Sequence, residues 1–472
     1  MTKLRRIYSA KRSVFWTALA LVAFFLEMPA AVGGEPLAES RISVSQEAQS
    51  APKDTETESI RPKNDKRDTA FGTDQSKSGY INLPQFGGPK SVGAQLKSDN
   101  EIKQPIFDLK DVHRAFKPYW NFKKQLVDRY GFAFGGDYNA LAEYANKSLG
   151  ENTAASGVFR FFGQWTFWGR GSEDNSTLVY KVENRHKYGT EIAPQQLAGD
   201  IGYAGLTAVS FSDVGWALTN LYWYQKFFGN QLGIVFGDVD VTDYVDVYAL
   251  FNPWTDFNNL AFTTSPTIPA PNQGLGAAVR VGKKNFYFLG GIADANGDPS
   301  DPGNFCHSFF STAEYFTHAE FGWVSSWERR FTDNIHLTGW HASDRTEADI
   351  PGGYGVAFSF SYLMRDQWVP FFRFGVSDGG GGAPLDRSVS VGVGRHMRGE
   401  SDMLGIGFNW GRPSEETYGP GLRDQLTAEI YYRLMLFQYL TITPDMQLIV
   451  NPALNPEEDQ IWVFGLRARL EF

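Results

Sequence analysis

The strand-like segment at residues 462–472 constrains the fold of this chain more than any other feature. Every even position in it is apolar, namely Trp462, Phe464, Leu466, Ala468, Leu470 and Phe472. The odd positions become charged, at Arg467, Arg469 and Glu471. A period of two residues is that of a β-strand, and an apolar, aromatic-rich face opposite a charged face is typical of a transmembrane β-barrel. The segment therefore predicts the closing strand of such a barrel, with lipid outside and water inside.

Residues 1–33 have the organisation of a secretory signal peptide. Basic residues precede an uncharged apolar run at residues 14–26, and the small residues Ala31 and Gly33 follow it. The run is shorter than the roughly 20 apolar residues that a membrane-spanning helix needs. We therefore interpret it as a signal peptide rather than a membrane anchor and exclude it from the fold.

Composition excludes several classes of function. No later stretch offers 18 consecutive apolar residues, which argues against a helical membrane protein. The net charge of −9 argues against a nucleic-acid partner. The single Cys306 forms no internal disulfide, and His336 and His341 fall on opposite faces of a strand, which is poor metal geometry. We expect no metal, no cofactor and no catalytic nucleophile.

Two segments precede the barrel. Residues 34–115 are rich in polar and charged residues and too poor in apolar ones to offset the entropy of ordering, so they predict a disordered periplasmic extension. Residues 116–131 predict a short amphipathic helix that begins at Pro118 and ends before Gly131. Its apolar stripe consists of Tyr119, Phe122, Leu126 and Tyr130. That stripe is expected to pack against the periplasmic mouth of the barrel or its interior.

Residues 132–472 alternate between period-two segments and turn-rich gaps, and they predict an all-β, antiparallel transmembrane barrel. At roughly 20 residues per strand with its share of loops, this length gives about 16 strands, although 14 or 18 also fit. The long polar gaps at residues 188–202, 294–309 and 378–387 are expected to be extracellular or in-folding loops.

Charged residues on the predicted inner face are the candidates for substrate binding along the channel. They are Lys181, Glu183, Arg185, Arg373, Glu429, Arg433, Arg467 and Arg469. Guanidinium, ammonium and carboxylate groups in a channel replace part of the hydration of a polar solute. Wide barrels also line their walls with solvated charges that have no selective role, so both interpretations remain open for each residue.

The carboxyl-terminal part of the chain resembles the carbohydrate-selective porins of the OprB family. The resemblance rests on the motif 429–433 (EIYYR), on 440–449 (LTITPDMQLI) followed by Asn451-Pro452, and on the final Gly465-Leu466-Arg467. Upstream, residues 221–225, 236–240, 257–259 and 402–407 also resemble the central region of that family. The resemblance covers about residues 118–472. Asp238 departs from it, because a basic residue is expected after Gly237.

This resemblance implies a bacterial outer-membrane barrel through which sugars such as glucose and related monosaccharides diffuse passively. Outer-membrane lipid and lipopolysaccharide are the expected surroundings, small sugars the permeants, and both a monomer and a homotrimer fit the sequence. Two alternatives use the same scaffold, a general or anion-preferring porin without a sugar site and an outer-membrane hydrolase. A hydrolase would need Ser and His side chains that meet on neighbouring strands, and the sequence pattern shows no such pair. A soluble β-sandwich fits less well, because the signal peptide and the apolar closing face argue against it.

Overall fold

A computed structural model describes residues 86–101, 103–399 and 401–472. The predicted signal peptide and residues 34–85 of the predicted extension lie outside the described residues. The strands are β1 (Phe132–Ala145), β2 (Thr153–Trp168), β3 (Ser176–Lys187), β4 (Gly215–Phe227), β5 (Leu232–Val239), β6 (Gly274–Lys283), β7 (Phe286–Asp294), β8 (Tyr315–Val324), β9 (Asn334–Ala342), β10 (Gly353–Ser361), β11 (Trp368–Ser377), β12 (Leu385–His396), β13 (Met403–Pro413), β14 (Gln425–Phe437), β15 (Leu440–Val450) and β16 (Gln460–Glu471). The helices are α1 (Val92–Asn100), α2 (Lys110–Tyr130), α3 (Pro194–Ile201), α4 (Phe305–Ser311) and α5 (Glu415–Tyr418).

The strands form one closed antiparallel barrel in which each strand pairs with its neighbours in sequence. The first and last strands close it, with Tyr138 opposite Leu470 and Leu141 opposite Arg467. The sequence prediction of a transmembrane-type barrel of about 16 strands is confirmed. Closure leaves no open strand edge, which is the condition for a sheet to span a membrane.

The two faces of the wall differ as the period-two pattern predicts. In β16 the odd positions, such as Val463 and Arg467, are buried, while Phe464 and Leu470 are exposed. The same outward exposure of large apolar side chains recurs around the barrel, at Phe161, Trp165, Trp216, Trp223, Phe236, Phe288, Phe321, Leu337, Phe372, Phe374, Phe408 and Leu426. An exposed apolar and aromatic band of this kind is what a lipid-facing wall requires. None of the helices in the described part of the chain is long and apolar enough to cross a membrane.

The connections differ at the two ends of the barrel. Short turns join β6 to β7 and β14 to β15, whereas long loops follow β3 and β5. In bacterial barrels the short turns face the periplasm and the long loops face outward. Two long loops fold into the lumen, namely loop β3–β4 (residues 188–214) and loop β5–β6 (residues 240–273). Their backbones and side chains form hydrogen bonds with inward-facing residues of the wall.

Apolar residues of loop β5–β6 build a core inside the lumen. Tyr248, Phe257 and Phe262 pack together with Phe371 of β11 and Tyr431 of β14. The loop contains only two three-residue 3-10 helices, Val241–Asp243 and Leu260–Phe262. Loops of this length are usually functional, and aromatic burial of this kind fixes the loop's position. The loop therefore belongs to the folded interior of the barrel.

The segment before the barrel differs from its prediction. Residues 86–101, assigned from composition to the disordered extension, include helix α1, whose Val92 and Leu96 are buried against Phe162 and Val179 of the wall. The average composition of residues 34–115 is polar, so the few apolar residues of α1 did not stand out in the sequence. Few apolar residues suffice here because the barrel wall supplies the rest of the core.

Helix α2 also differs in start and in packing face. It begins at Lys110 rather than Pro118, which lies inside the helix, and it ends before Gly131 at φ 70°. An interior proline removes one backbone hydrogen bond and crowds the preceding turn, yet the helix continues upstream of Pro118. Over residues 114–130, whose burial is described, the buried residues are Trp120, Lys123 and Val127, whereas Phe122 and Tyr130 of the predicted stripe are exposed. Trp120 stacks on Tyr439 in the turn between β14 and β15, which places α2 at the periplasmic mouth.

Candidate functional site

The lumen face of the wall carries all the charged residues that the sequence assigns to it. They lie on β3 (Lys181, Glu183, Arg185), β11 (Arg373), β14 (Glu429, Arg433) and β16 (Arg467, Arg469). Most are fully buried, because loop β5–β6 and the N-terminal segment (residues 86–101) cover them. Only Arg185 and Arg433 among these residues expose more than a tenth of the side chain, 14% and 16% respectively. Their side chains are the ones offered to water in the lumen.

Arg373 binds loop β5–β6 at two places, near Asp246 and at Thr263. Its guanidinium donates hydrogen bonds to the carboxylate of Asp246 and to the carbonyl oxygen of Thr263, and it lies 4.6 Å from the centre of the Tyr248 ring. His336 Nε2 lies 3.2 Å from the other carboxylate oxygen of Asp246. Burial would raise the pKa of Asp246, but Arg373 and His336 outweigh it and hold the pKa below its usual value. The loop is therefore tied to the wall by a charged carboxylate.

Arg467 and Glu429 bind the middle of the same loop. Arg467 donates to the carbonyl oxygens of Pro253 and Asp256, at 2.5 and 2.6 Å. The Glu429 carboxylate accepts hydrogen bonds from the backbone N–H groups of Asn258 and Asn259, at 2.7 and 3.0 Å. These side chains satisfy backbone groups that the irregular loop leaves without secondary-structure partners.

Arg433 lies at the edge of this region. It donates to Asp256 Oδ1 at 3.0 Å, and the Tyr431 hydroxyl lies 3.3 Å from the same oxygen. The partial exposure of Arg433 leaves its guanidinium accessible beside a carboxylate. The guanidinium of Arg433 therefore offers hydrogen-bond donors to a polyhydroxylated solute from a position that the buried Asp256 carboxylate fixes.

Glu183 and Arg185 form a second such pair on β3. Their side chains are 2.6 Å apart, Glu183 is buried and Arg185 is partly exposed. Among the described residues, the side-chain hydrogen bond of Arg185 goes to Glu183 and not to loop β5–β6, so this pair differs from the charges that fix the loop.

Arg469 and Lys181 face the N-terminal segment and the start of loop β5–β6. Arg469 donates to Asp137 of β1 at 2.7 Å and to Asp99 of α1 at 3.0 Å. Lys181 lies 3.9 Å from Asp240 and 3.8 Å from Asp243. Arg469 and Lys181 therefore hold segments of the chain that lie far from them in the sequence.

The sequence reasoning missed the carboxylates of loop β5–β6, namely Asp240, Asp243, Asp246 and Asp256, and it missed Lys90 of the N-terminal segment. The available signal was a gap between strands far longer than a hairpin turn and rich in aromatic residues, a composition that favours burial. The predicted polar gap at 188–202 belongs to loop β3–β4, in which Tyr203 donates to Asn259 at 2.9 Å. Asp238, the departure from the family pattern, is buried at the end of β5.

The described residues contain no group of three His, Cys, Asp or Glu side chains that could hold a metal ion. Two of the described histidines form side-chain hydrogen bonds: His186 with Tyr138 and Asn184, and His336 with Asn334 and Asp246. Neither of these two contacts a serine, so neither forms the pair that the hydrolase alternative requires.

Comparisons with known proteins agree with this architecture. The family model described as carbohydrate-selective porin, OprB family, matches residues 168–363 and 347–472. Porin AaxA of Chlamydia pneumoniae is 32% identical over 110 residues, which are 21% of this chain and 24% of that porin. This chain thus aligns with about a quarter of the length of that curated relative.

A solved structure, described as the high pH structure of Pseudomonas putida OprB, superposes with a TM-score of 0.59 at 15% sequence identity. The superposition covers 75% of this chain and 97% of that one. At this identity the likeness shows that the two chains share the barrel fold.

Proposed function

This chain belongs to the carbohydrate-selective porin family OprB, and we propose that it lets small sugars such as monosaccharides diffuse passively across the bacterial outer membrane. The family and the barrel fold indicate an outer-membrane protein and a channel rather than an enzyme. In this proposal outer-membrane lipid and lipopolysaccharide surround the apolar band, and the protein works as a monomer or as a homotrimer.

The observation that carries the proposal is the position of loop β5–β6 inside a charged lumen. The loop narrows the barrel, so a permeating solute must pass close to the wall. On that wall the partly exposed Arg185 pairs with the buried Glu183, and the partly exposed Arg433 pairs with Asp256 of the loop. Fixed hydrogen-bond donors and acceptors can replace the water molecules that hydrate a neutral polyol. An inorganic ion, in contrast, is stabilised only by charges of the opposite sign. Sugar selectivity is the function that such paired charges support best.

The alternative of a general or anion-preferring porin uses the same scaffold. The exposed guanidinium groups of Arg185 and Arg433 favour it, because they present positive charge to the lumen. Block by sugar separates the two functions, since a general porin has no sugar site.

The test is single-channel conductance of the purified protein in planar bilayers, titrated with glucose and other monosaccharides. We expect concentration-dependent block. Arg185→Gln should raise the half-blocking glucose concentration roughly tenfold, because a hydrogen bond from a charged group contributes about 1.5–3 kcal/mol. The matched control is Arg329→Gln, which changes an exposed arginine in the turn between β8 and β9. Glucose should block this variant at the same concentration as the wild type. Steady conductance without block would favour the general porin, and absence of conductance would reopen the hydrolase alternative.

A further inference from the structure

The N-terminal segment occupies space inside the barrel. Its first described residue, Phe86, packs against Tyr224 of β4 and Tyr244 of loop β5–β6, with ring centres 5.9 and 5.0 Å apart. Further along, Val92 and Leu96 pack on the inner faces of β1–β3. The segment therefore takes up part of the cross-section that a permeant would use.

Lys90 holds this segment to the start of loop β5–β6. Its ammonium group lies 2.8 Å from Asp240 and 3.5 Å from Asp243, and it donates to the Thr242 hydroxyl at 2.5 Å. The backbone N–H of Gly88 donates to the Asp243 carbonyl at 2.5 Å. Lys181 is the other cation near these carboxylates, at 3.8–3.9 Å. Without Lys90, two buried carboxylates would face one more distant ammonium group, an arrangement that burial strongly disfavours.

Contacts at the other end of the segment are also ionic. Asp99 accepts hydrogen bonds from Arg469 at 3.0 Å. Just beyond the segment, Lys103 lies 2.5 Å from Glu471, the last residue of β16. Both ends of the segment are thus held by charged pairs, with a small apolar contact between them.

The segment depends on these contacts for its structure. Helix α1 has 9 residues, and its N-cap residue, Ser91, makes no side-chain cap bond to the helix. Isolated helices shorter than about 12–15 residues are marginal in water. When the charged pairs break, α1 loses both its position and its conformation.

We propose that residues 86–101 are a plug that narrows the channel and is latched to loop β5–β6 through Lys90. This inference rests on the proposed porin function, because a plug has a role only where solutes pass. The segment precedes residue 168, where the family match begins. Release of the Lys90 contacts frees the segment and widens the path.

The first test compares Lys90→Met with the matched control Lys97→Met. Lys97 lies on the same helix, but its side chain is 47% exposed and pairs only with Glu101 at 3.7 Å. We expect K90M to conduct roughly twofold more than the wild type, since an α-helix about 10 Å across leaves the lumen. K97M should conduct like the wild type. Equal conductance of K90M and wild type would overturn the plug.

A disulfide lock separates movement of the plug from a simple change in lumen charge. A Cβ atom built on Gly88 would lie 2.7 Å from Val247 Cβ in loop β5–β6, so a small shift gives the roughly 3.8 Å of a disulfide. The variant carries G88C, V247C and K90M, with C306S to remove the exposed native thiol.

Oxidation should return this variant to wild-type conductance, and reduction should restore the roughly twofold increase that follows from removing the helix. Because both states come from one folded preparation, a folding defect cannot produce the difference. Conductance that stays high after complete oxidation would overturn the plug while leaving the porin intact. Absence of conductance in every variant, including reduced K90M, would overturn the porin function itself and the plug with it.

Discussion

At the scale of single residues, the buried charges of the lumen act first on the protein itself. Loop β5–β6, rather than water, forms hydrogen bonds with Arg373, Glu429 and Arg467. A buried pair of this kind is costly to break because one charge is left unpaired. The wall charges therefore decide where the loop sits and, through it, how wide the path is.

Asp246→Asn tests this role with little change in shape. Asp246 has φ 53°, a conformation that Asn also tolerates, so the substitution removes the charge that faces Arg373 without straining the backbone. We expect a loss of about 3–5 kcal/mol in the free energy of unfolding, measured by denaturation in detergent micelles. The control Asp128→Asn removes the exposed partner of Lys124 and should cost less than about 1 kcal/mol. Equal losses in the two variants would contradict a structural role for Asp246.

The sequence predicted these residues on the lumen face but not their partners. A period of two residues assigns Arg373 and Arg467 to one side of a strand, which local sequence suffices to show. Their acceptors, Asp246 and the Pro253 carbonyl, lie more than a hundred residues away in the chain. Nothing in the spacing encodes such a pairing. The role of these residues in substrate binding stays a prediction.

At the scale of elements, the strands were predictable and the segments inside the lumen were not. The period-two segments around Leu178, Ile234, Phe358, Phe374 and Ile430 all lie in strands. Loop β5–β6 and helix α1 acquire their structure from the wall that surrounds them, so composition and periodicity alone give little sign of it. The packing face of helix α2 was mispredicted for a related reason. Its centre is Lys123, a charged residue, so a search for a stripe of apolar residues does not find it.

Lys123 gives helix α2 a pH-dependent attachment. Its ammonium lies 4.9 Å from the Trp120 ring and 5.1 Å from the Phe134 ring. Burial lowers the pKa of Lys123 from 10.5 to about 8, despite the nearby Asp99 and Glu471. The docked helix thus binds the proton more weakly than the free helix does. Docking should therefore strengthen as pH rises from about 8 to about 10.5.

The measurement is the rate of limited proteolysis within α2, followed by mass spectrometry across this pH range. Cleavage of the wild type should slow as pH rises. Lys124→Met, at the neighbouring residue whose side chain is 42% exposed, should keep that trend, whereas Lys123→Met should abolish it. A trend that persists in Lys123→Met would assign the pH dependence to another group.

At the scale of the whole molecule, length and the alternating pattern sufficed to predict the barrel. Closure forces the residues of every strand to divide between lipid and lumen, so each strand repeats the same signal. The length of the barrel region predicts about 16 strands, with 14 or 18 also fitting, because spanning strands have a nearly fixed length. The length and the alternating pattern do not predict which segments fill the lumen, because in a wide barrel loops and termini occupy that space.

The seam between β1 and β16 completes the barrel, and Gly136 is its closest approach. The Phe472 N–H donates to the Gly136 carbonyl at 2.9 Å, and the Gly136 N–H donates to the Phe472 carbonyl at 3.2 Å. A Cβ atom at Gly136 would lie 2.5 Å from the Phe472 ring and 3.2 Å from the Arg160 carbonyl oxygen. Gly136→Val should therefore push the last strand away and cost about 1–3 kcal/mol through overpacking.

The matched control is Gly339→Val in the middle of β9, where a Cβ atom would meet only the Ala319 carbonyl oxygen, at 3.9 Å. The temperature at which the folded barrel converts to the unfolded form in detergent electrophoresis measures both variants. We expect a lower temperature for Gly136→Val and little change for Gly339→Val, since valine suits a strand. Equal behaviour of the two variants would mean that the terminal seam contributes no more to closure than any other strand pair. A selective loss would identify the seam as the place where the barrel opens first, because it alone joins strands from the two ends of the barrel domain.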